Sequence, residues 1–181
     1  MVTLEKLREE ARHVFAGAKG NLTTKGEVLP IFICLKGEKM YLMPLAFGEL
    51  SLANDEAKHK TLRLLRCYVA MLQPDMVFWA IETWVAGAAT EAEAMGLRPR
   101  DRSDRKEAVF VLAQTPDHIL ALVAQFERGA SATDITMGEP DELIGDSLKT
   151  QHDFYHTEDL TAAELLIAAL SFKKIMMKGD N

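Results

Sequence analysis

Cysteine is scarce in this chain: two residues of 181, Cys34 and Cys67. Each lies in an apolar run, Ile31–Leu35 and Leu62–Leu72. Isolated thiols in apolar company behave as buried, reduced side chains, which excludes a disulfide framework and leads us to expect a reducing, cytoplasmic compartment. Long apolar runs are also missing. Stretches such as Met76–Ile81 and Leu165–Leu170 fall far short of the roughly 20 residues that cross a bilayer. The first six residues, Met1–Lys6, bring charge at once and hold no apolar signal core, so no secretion signal is expected. GxGxxG, GxxxxGK[ST], GxSxG and CxxC are all absent, and no cofactor is expected. Excess positive charge is lacking too. The net charge of -6 disfavours bulk attraction to nucleic acid or to an anionic membrane, so neither is expected as a partner.

What is present suits a globular protein. The hydrophobic content of 48% argues against disorder. A chain of 181 residues most simply forms one domain, with about 70% of its unfolded surface buried on folding. No internal repeat or low-complexity tract divides it.

The chain is organised around Met76–Arg128, which reads as three strands: Met76–Ala86, Glu107–Gln114 and His118–Arg128. In the first, the alternating sets Val77, Trp79, Ile81 and Met76, Phe78, Ala80 are both apolar, as in an interior strand covered on both faces. Thr115-Pro116-Asp117-His118 carries a type I turn signal and predicts antiparallel pairing of the last two strands. Upstream, Thr3 caps a helix over about residues 4–17, ended by Gly17 and Gly20. Glu27–Leu35 and Met40–Leu45 form a hairpin around Lys36-Gly37-Glu38-Lys39. Ser51–Gln73 is the longest helical pattern, capped by Ser51 or Asn54 and stopped by Pro74. Residues 129–160 hold eight acids against one base, Lys149. Loops and a short helix at Asp141–Lys149 are expected there. The last helix runs from Thr161 to about Met177, opens with the capping box Thr161-Ala162-Ala163-Glu164, and buries Ala162, Leu165, Leu166, Ala169, Phe172 and Met176. The expected fold is therefore α+β. A mainly antiparallel sheet of about five strands, in the order ββαβββ, carries the long helix on one face, and the terminal helices close the rest.

Three groups of residues could carry chemistry. Glu82 is a carboxylate in an apolar strand, two residues before Trp84. Such an acid can be a general acid or base of raised pKa, or it can accept hydrogen bonds from Arg100, Arg102 or Arg105 of the following loop. The pairing is the favoured reading. That loop, Arg98–Lys106, holds five bases and two acids. Arginine forks bind phosphate bidentately, but Asp101, Asp104 and the acidic 129–160 segment are competing partners, and no aromatic is interleaved as a stacking platform. If the loop folds back, Glu82, Trp84, Asp104, Arg105 and Glu107 share one end of the sheet. The third group is His152 and His156, at helical i, i+4 spacing among acids, as a Zn²⁺ or Fe²⁺ site requires. No Glu follows His152, so HExxH is absent, and two surface histidines is the preferred reading. A PD-(D/E)xK nuclease core is excluded: Pro74-Asp75 opens a strand, but Glu82-Thr83-Trp84 lacks the lysine.

Glu82-Thr83-Trp84 closing a strand, then Asp104-Arg105-Lys106-Glu107-Ala108 opening the next, resembles a loosely defined group of small uncharacterised bacterial and phage proteins. In these, a strand ending in acid-x-Trp precedes a Pro/Arg loop and an Asp-Arg-x-Glu segment. The resemblance covers Met76–Gln114 and implies the strand–loop–strand arrangement; it implies no activity. From the residues, a non-enzymatic binding or assembly protein that forms a homo-oligomer is expected. The alternative is a hydrolase or nuclease acting on a phosphate-bearing substrate through Glu82, Asp104, Glu107 and the arginine loop.

Overall fold

The computed structural model describes residues 1–45, 54–86, 101–145 and 153–178. Its elements are α1 (Leu4–Lys25), β1 (Ile31–Lys36), β2 (Lys39–Pro44), α2 (Asp55–Leu72), β3 (Met76–Val85), β4 (Lys106–Gln114), β5 (Ile119–Arg128), β6 (Ile135–Met137), β7 (Asp141–Ile144) and α3 (Ala162–Lys178). The fold is α+β. A seven-stranded sheet runs β2-β1-β3-β4-β5-β6, with β7 also on β5. Every pairing is antiparallel.

Alternation along the strands divides the core in two. Phe78 and Ala80 of β3, Val109 and Val111 of β4, and Leu120, Leu122 and Phe126 of β5 point to α1, where they meet Leu7, Ala11, Phe15, Ala18 and Leu22. Phe32, Cys34, Val77, Trp79, Leu112 and Ala121 point the other way, to Leu64, Leu65, Tyr68 and Val69 of α2 and Ala168 of α3. β3–β5 are thus covered on both faces, as their doubled apolar rows require. Cys34 and Cys67 are free and buried. Burial pushes the Cys34 thiol up to about 12, which leaves it inert at neutral pH.

Four expectations are corrected. The first helix does not stop at Gly17 or Gly20 but runs to Lys25, where Gly26 caps it at φ 79° and donates to the Leu22 carbonyl at 2.9 Å. Each glycine inside a helix costs about 0.5–1 kcal/mol. Burying Leu22 returns about 1.5–3 kcal/mol, so continuation wins.

The sheet has two more strands than expected, and both come from the acidic segment. No helix forms over 141–145: β6 and β7 lie end to end along β5 as one broken edge. Between the pairs Phe126↔Met137 and Val123↔Asp141, three residues (Gly138, Glu139, Pro140) face two on β5. This is a bulge, and one extra residue exchanges the two faces of the strand. It turns Glu142 to the α1 side, where Arg8 Nε donates to its carboxylate at 2.8 Å.

The capping box at Thr161 forms as read: Thr161 N donates to Glu164 Oε2 at 2.8 Å, and Glu164 N donates to Thr161 Oγ1 at 3.3 Å. The buried stripe of α3 forms only in part, and the side chains of Phe172 and Met176 lie outside those described. Leu165 and Ala168 face α2, while Ala162, Leu166 and Ala169 are exposed. The helix is apolar nearly all round, so periodicity cannot choose its rotation. Glu164 chooses it by pairing with Arg63 of α2.

Finally, α2 is capped by Asn54, whose Oδ1 accepts from Ala57 N at 2.9 Å. Ser51 lies outside the described residues.

A Cβ built on Gly17 or Gly20 meets nothing within 4 Å. Gly17→Ala and Gly20→Ala should each therefore raise the unfolding free energy by about 0.5–1 kcal/mol, read as a shift of the urea midpoint at unchanged slope.

Candidate functional site

Alternation places Glu82 and Trp84 of β3, Glu107 of β4 and Arg128 of β5 on the α1 side of the sheet. They stand beyond the last turn of α1, at the end where β3 hands over to β4. Trp84 and Glu107 are register partners, as are Glu107 and Phe126, with Glu82 one same-face step back on β3 and Arg128 one same-face step beyond Phe126.

Arg128 organises this corner. Its Nη2 donates to Glu82 Oε1 at 2.6 Å, its Nε donates to Glu107 Oε2 at 3.2 Å, and its Nη1 donates to the Gly26 carbonyl at 2.6 Å. Glu82 Oε2 also accepts from Val28 N at 3.4 Å. Its guanidinium carbon lies 5.1 Å from the Phe126 ring centre. One cation thus spans two carboxylates and the C-terminal cap of α1, and all three charged side chains are about three-quarters buried. Gly26 closes the corner from the far side. A Cβ there would come within 2.9 Å of the Ala132 carbonyl oxygen, and its φ of 79° is already left-handed.

The expected partnership of Glu82 with an arginine is present, and among the described residues that arginine is Arg128 of β5, not Arg102 or Arg105. Arg102 forks onto Asp104 within the loop, Nε to Oδ1 at 2.9 Å, and this hydrogen bond holds the Asp104 carboxyl below its ordinary value. Arg105 stacks on the exposed Trp84 ring at 4.7 Å. Arg100 lies outside the described residues. Of the five side chains expected at one end of the sheet, Glu82 and Glu107 are joined by Arg128, Trp84 and Arg105 pair beside them, and Asp104 is held by Arg102. The face that carries the missed residue was legible, though its contact with Glu82 was not. Arg128 is the next member of the row Leu120, Leu122, Ala124, Phe126, and it is the cation of that row.

His152 lies outside the described residues. His156 contributes its carbonyl oxygen, which accepts from Arg66 Nε at 2.8 Å. The neighbouring Asp153 is an anchor: its Oδ1 accepts from Gln114 Nε2 at 2.6 Å and from Tyr155 N at 3.1 Å. Gln114 Oε1 in turn accepts from Phe154 N at 3.0 Å, fixing the buried Phe154 ring. Among the described residues no group of three His, Cys, Asp or Glu side chains is placed to hold a metal ion.

This anchored segment leads into a second charged cluster. Arg63 and Arg66 of α2 face Asp159 and Glu164. Arg63 Nη1 donates to Asp159 Oδ2 at 3.1 Å, Arg63 Nη2 donates to Glu164 Oε2 at 3.0 Å, and Arg66 Nη2 pairs with Asp159 Oδ1. The Arg63 hydrogen bond, aided by Thr161, holds the Glu164 carboxyl down at about 2; Arg66, then Arg63, lower that of Asp159. At the opposite end of the sheet from Glu82, a cleft of about 450 Å³ is lined by residues including Gln73, Asp75, Asp117 and Tyr155. The Tyr155 hydroxyl donates to the Pro74 carbonyl at 3.0 Å.

No family model, curated protein or solved structure matches the chain.

Measurements on each cluster check these assignments. Arg128→Met should lower stability by about 1–3 kcal/mol, because it strands two largely buried acceptors. A double-mutant cycle with Glu82→Gln should show positive coupling between the two side chains. For the second cluster, the folded-state values of Glu164 and Asp159 lie below their unfolded ones. Their stabilisation is therefore full above about pH 4.5 and is lost as pH falls toward about 2. Hydrogen exchange in α3, corrected for intrinsic rates, should accelerate over that window relative to β3. Arg63→Met should reproduce the loosening at pH 7.

Proposed function

We propose that this chain is a non-enzymatic binding and assembly protein that works as a homo-oligomer. The observation that carries the reading is the placement of large apolar side chains left in water. Met40 and Leu42 are exposed on the edge strand β2, Leu143 and Ile144 on the opposite edge strand β7, and Leu166, Ile167 and Leu170 on the outer face of α3. α1 packs on β3, β4 and β5, so the β1–β2 half of that face keeps Ile31, Ile33 and Leu35 only partly buried beside Met40 and Leu42. Single exposed apolar residues are ordinary; adjacent sets of this kind mark interaction surfaces. Sheet edges that have no strand partner among the described residues add backbone donors and acceptors ready to be met by another chain.

A hydrolase or nuclease acting on a phosphate-bearing substrate gains less from the geometry. Glu82 and Glu107 are turned to Arg128, and Asp104 to Arg102. Each carboxylate of that set already serves an arginine, and none is set apart as an unpaired general base.

Light scattering after size exclusion, at several protein concentrations and at low and high salt, tests the reading. A mass that is a multiple of 20.2 kDa is expected, persisting in high salt because the contact surfaces are apolar. A strict monomer under every condition would count decisively against assembly.

A further inference from the structure

We infer that a second copy of this chain packs on the outer face of α3, helix against helix and antiparallel, about a two-fold axis near Ile167. The inference rests on the assembly reading and names its surface. Ala163, Leu166, Ile167 and Leu170 fall at i, i+3, i+4 and i+7, the spacing of one helical seam. All four are exposed, the three large ones by 57–65%. The helix cannot roll this seam inward. Its other side is already committed: Leu165 and Ala168 pack on the α2 core, and Glu164 is held by Arg63.

The occupant follows from symmetry and charge. An isologous contact requires a patch that matches itself, residue i meeting j and j meeting i. In an antiparallel pair centred here, Ala163 faces Leu170 of the second copy, small against large, and Leu166 faces Ile167. The seam carries no charge, so nothing ionised is desolvated. Its two ends differ in sign. Glu158 precedes the helix, while Lys173, Lys174 and Lys178 belong to its last turns in the sequence. Antiparallel pairing sets the acidic start of one helix beside the basic end of the other and opposes the two macrodipoles. A parallel pair would set like ends together. The wider charge pattern thus fits this chain's own helix reversed.

The test uses the full chain in two forms. Ile167→Cys places one thiol near the axis, and Cys34 and Cys67 are buried and do not compete. Mild oxidation should convert most of that variant into a disulfide-linked dimer on a non-reducing gel. Arg12→Cys, an exposed position on α1, should remain largely uncrosslinked under the same conditions. Leu166→Glu with Leu170→Glu should convert the oligomer to a species of lower mass by light scattering, while circular dichroism confirms that the fold is kept. If wild type is an oligomer but Ile167→Cys crosslinks no better than Arg12→Cys, the helix seam is wrong and assembly through another surface stands. The same holds if the double glutamate variant keeps the wild-type mass. If wild type is monomeric at every concentration, the assembly reading itself falls, and this inference with it.

Discussion

The constraint on which the rest depends is that three adjacent strands, β3, β4 and β5, are apolar on both faces. A sheet of that kind cannot leave either face in water. Phe78, Val111 and Leu122 on one side and Trp79, Leu112 and Ile119 on the other each forfeit about 1.5–3 kcal/mol for a large side chain left exposed. Cover must therefore come from both directions. α1, arriving before the sheet, takes one face; α2 and α3, arriving from the middle and end of the chain, share the other. The length of α1 follows from the same need, since a helix ending at Gly17 would leave the rows beneath Ala18 and Leu22 uncovered.

The meander, the hairpin, α2 and the capping box of α3 were legible because each is signalled locally. Alternation, turn residues and caps lie within a few positions of the element they define. The features that were not legible depend on partners distant in sequence. β6 and β7 have weak strand patterns of three and four residues and exist because β5 offers them an edge. The rotation of α3 is set by Arg63, 101 residues away from Glu164, in a helix whose own periodicity is mute. The partner of Glu82 lies 46 residues on, across an intervening strand. Nearness in sequence points instead to Arg100, Arg102 and Arg105, yet register decides the contact, and register follows from the turn at Thr115–His118.

Charge and apolar surface have exchanged their usual places. Several charged contacts of the molecule join elements far apart in the chain: Arg8 to Glu142, Arg63 and Arg66 to Asp159 and Glu164, Arg128 to Glu82 and Glu107. Partly exposed pairs of this kind are weak, too weak to hold the fold but enough to choose among orientations that the hydrophobic effect leaves nearly equal. Arg8–Glu142 selects the face of β7, Arg63–Glu164 the rotation of α3, and Arg128 the approach of the α1 cap to the sheet rim.

The consequence for function is a matter of magnitude. Charges that set internal orientation are already partnered, and recruiting them to a ligand costs the orientation they fix. Leu166, Ile167 and Leu170, held outward by that same ion-pair network, are under no such obligation. Burying each of them gains more than any one of the exposed ion pairs contributes. The free energy this surface has to offer therefore lies mainly in its apolar parts. A molecule so arranged is better suited to meeting another apolar surface than to binding a charged substrate. In the proposed assembly its ion pairs would serve association indirectly, by holding α3 at one fixed rotation in advance, which lowers the ordering cost of binding.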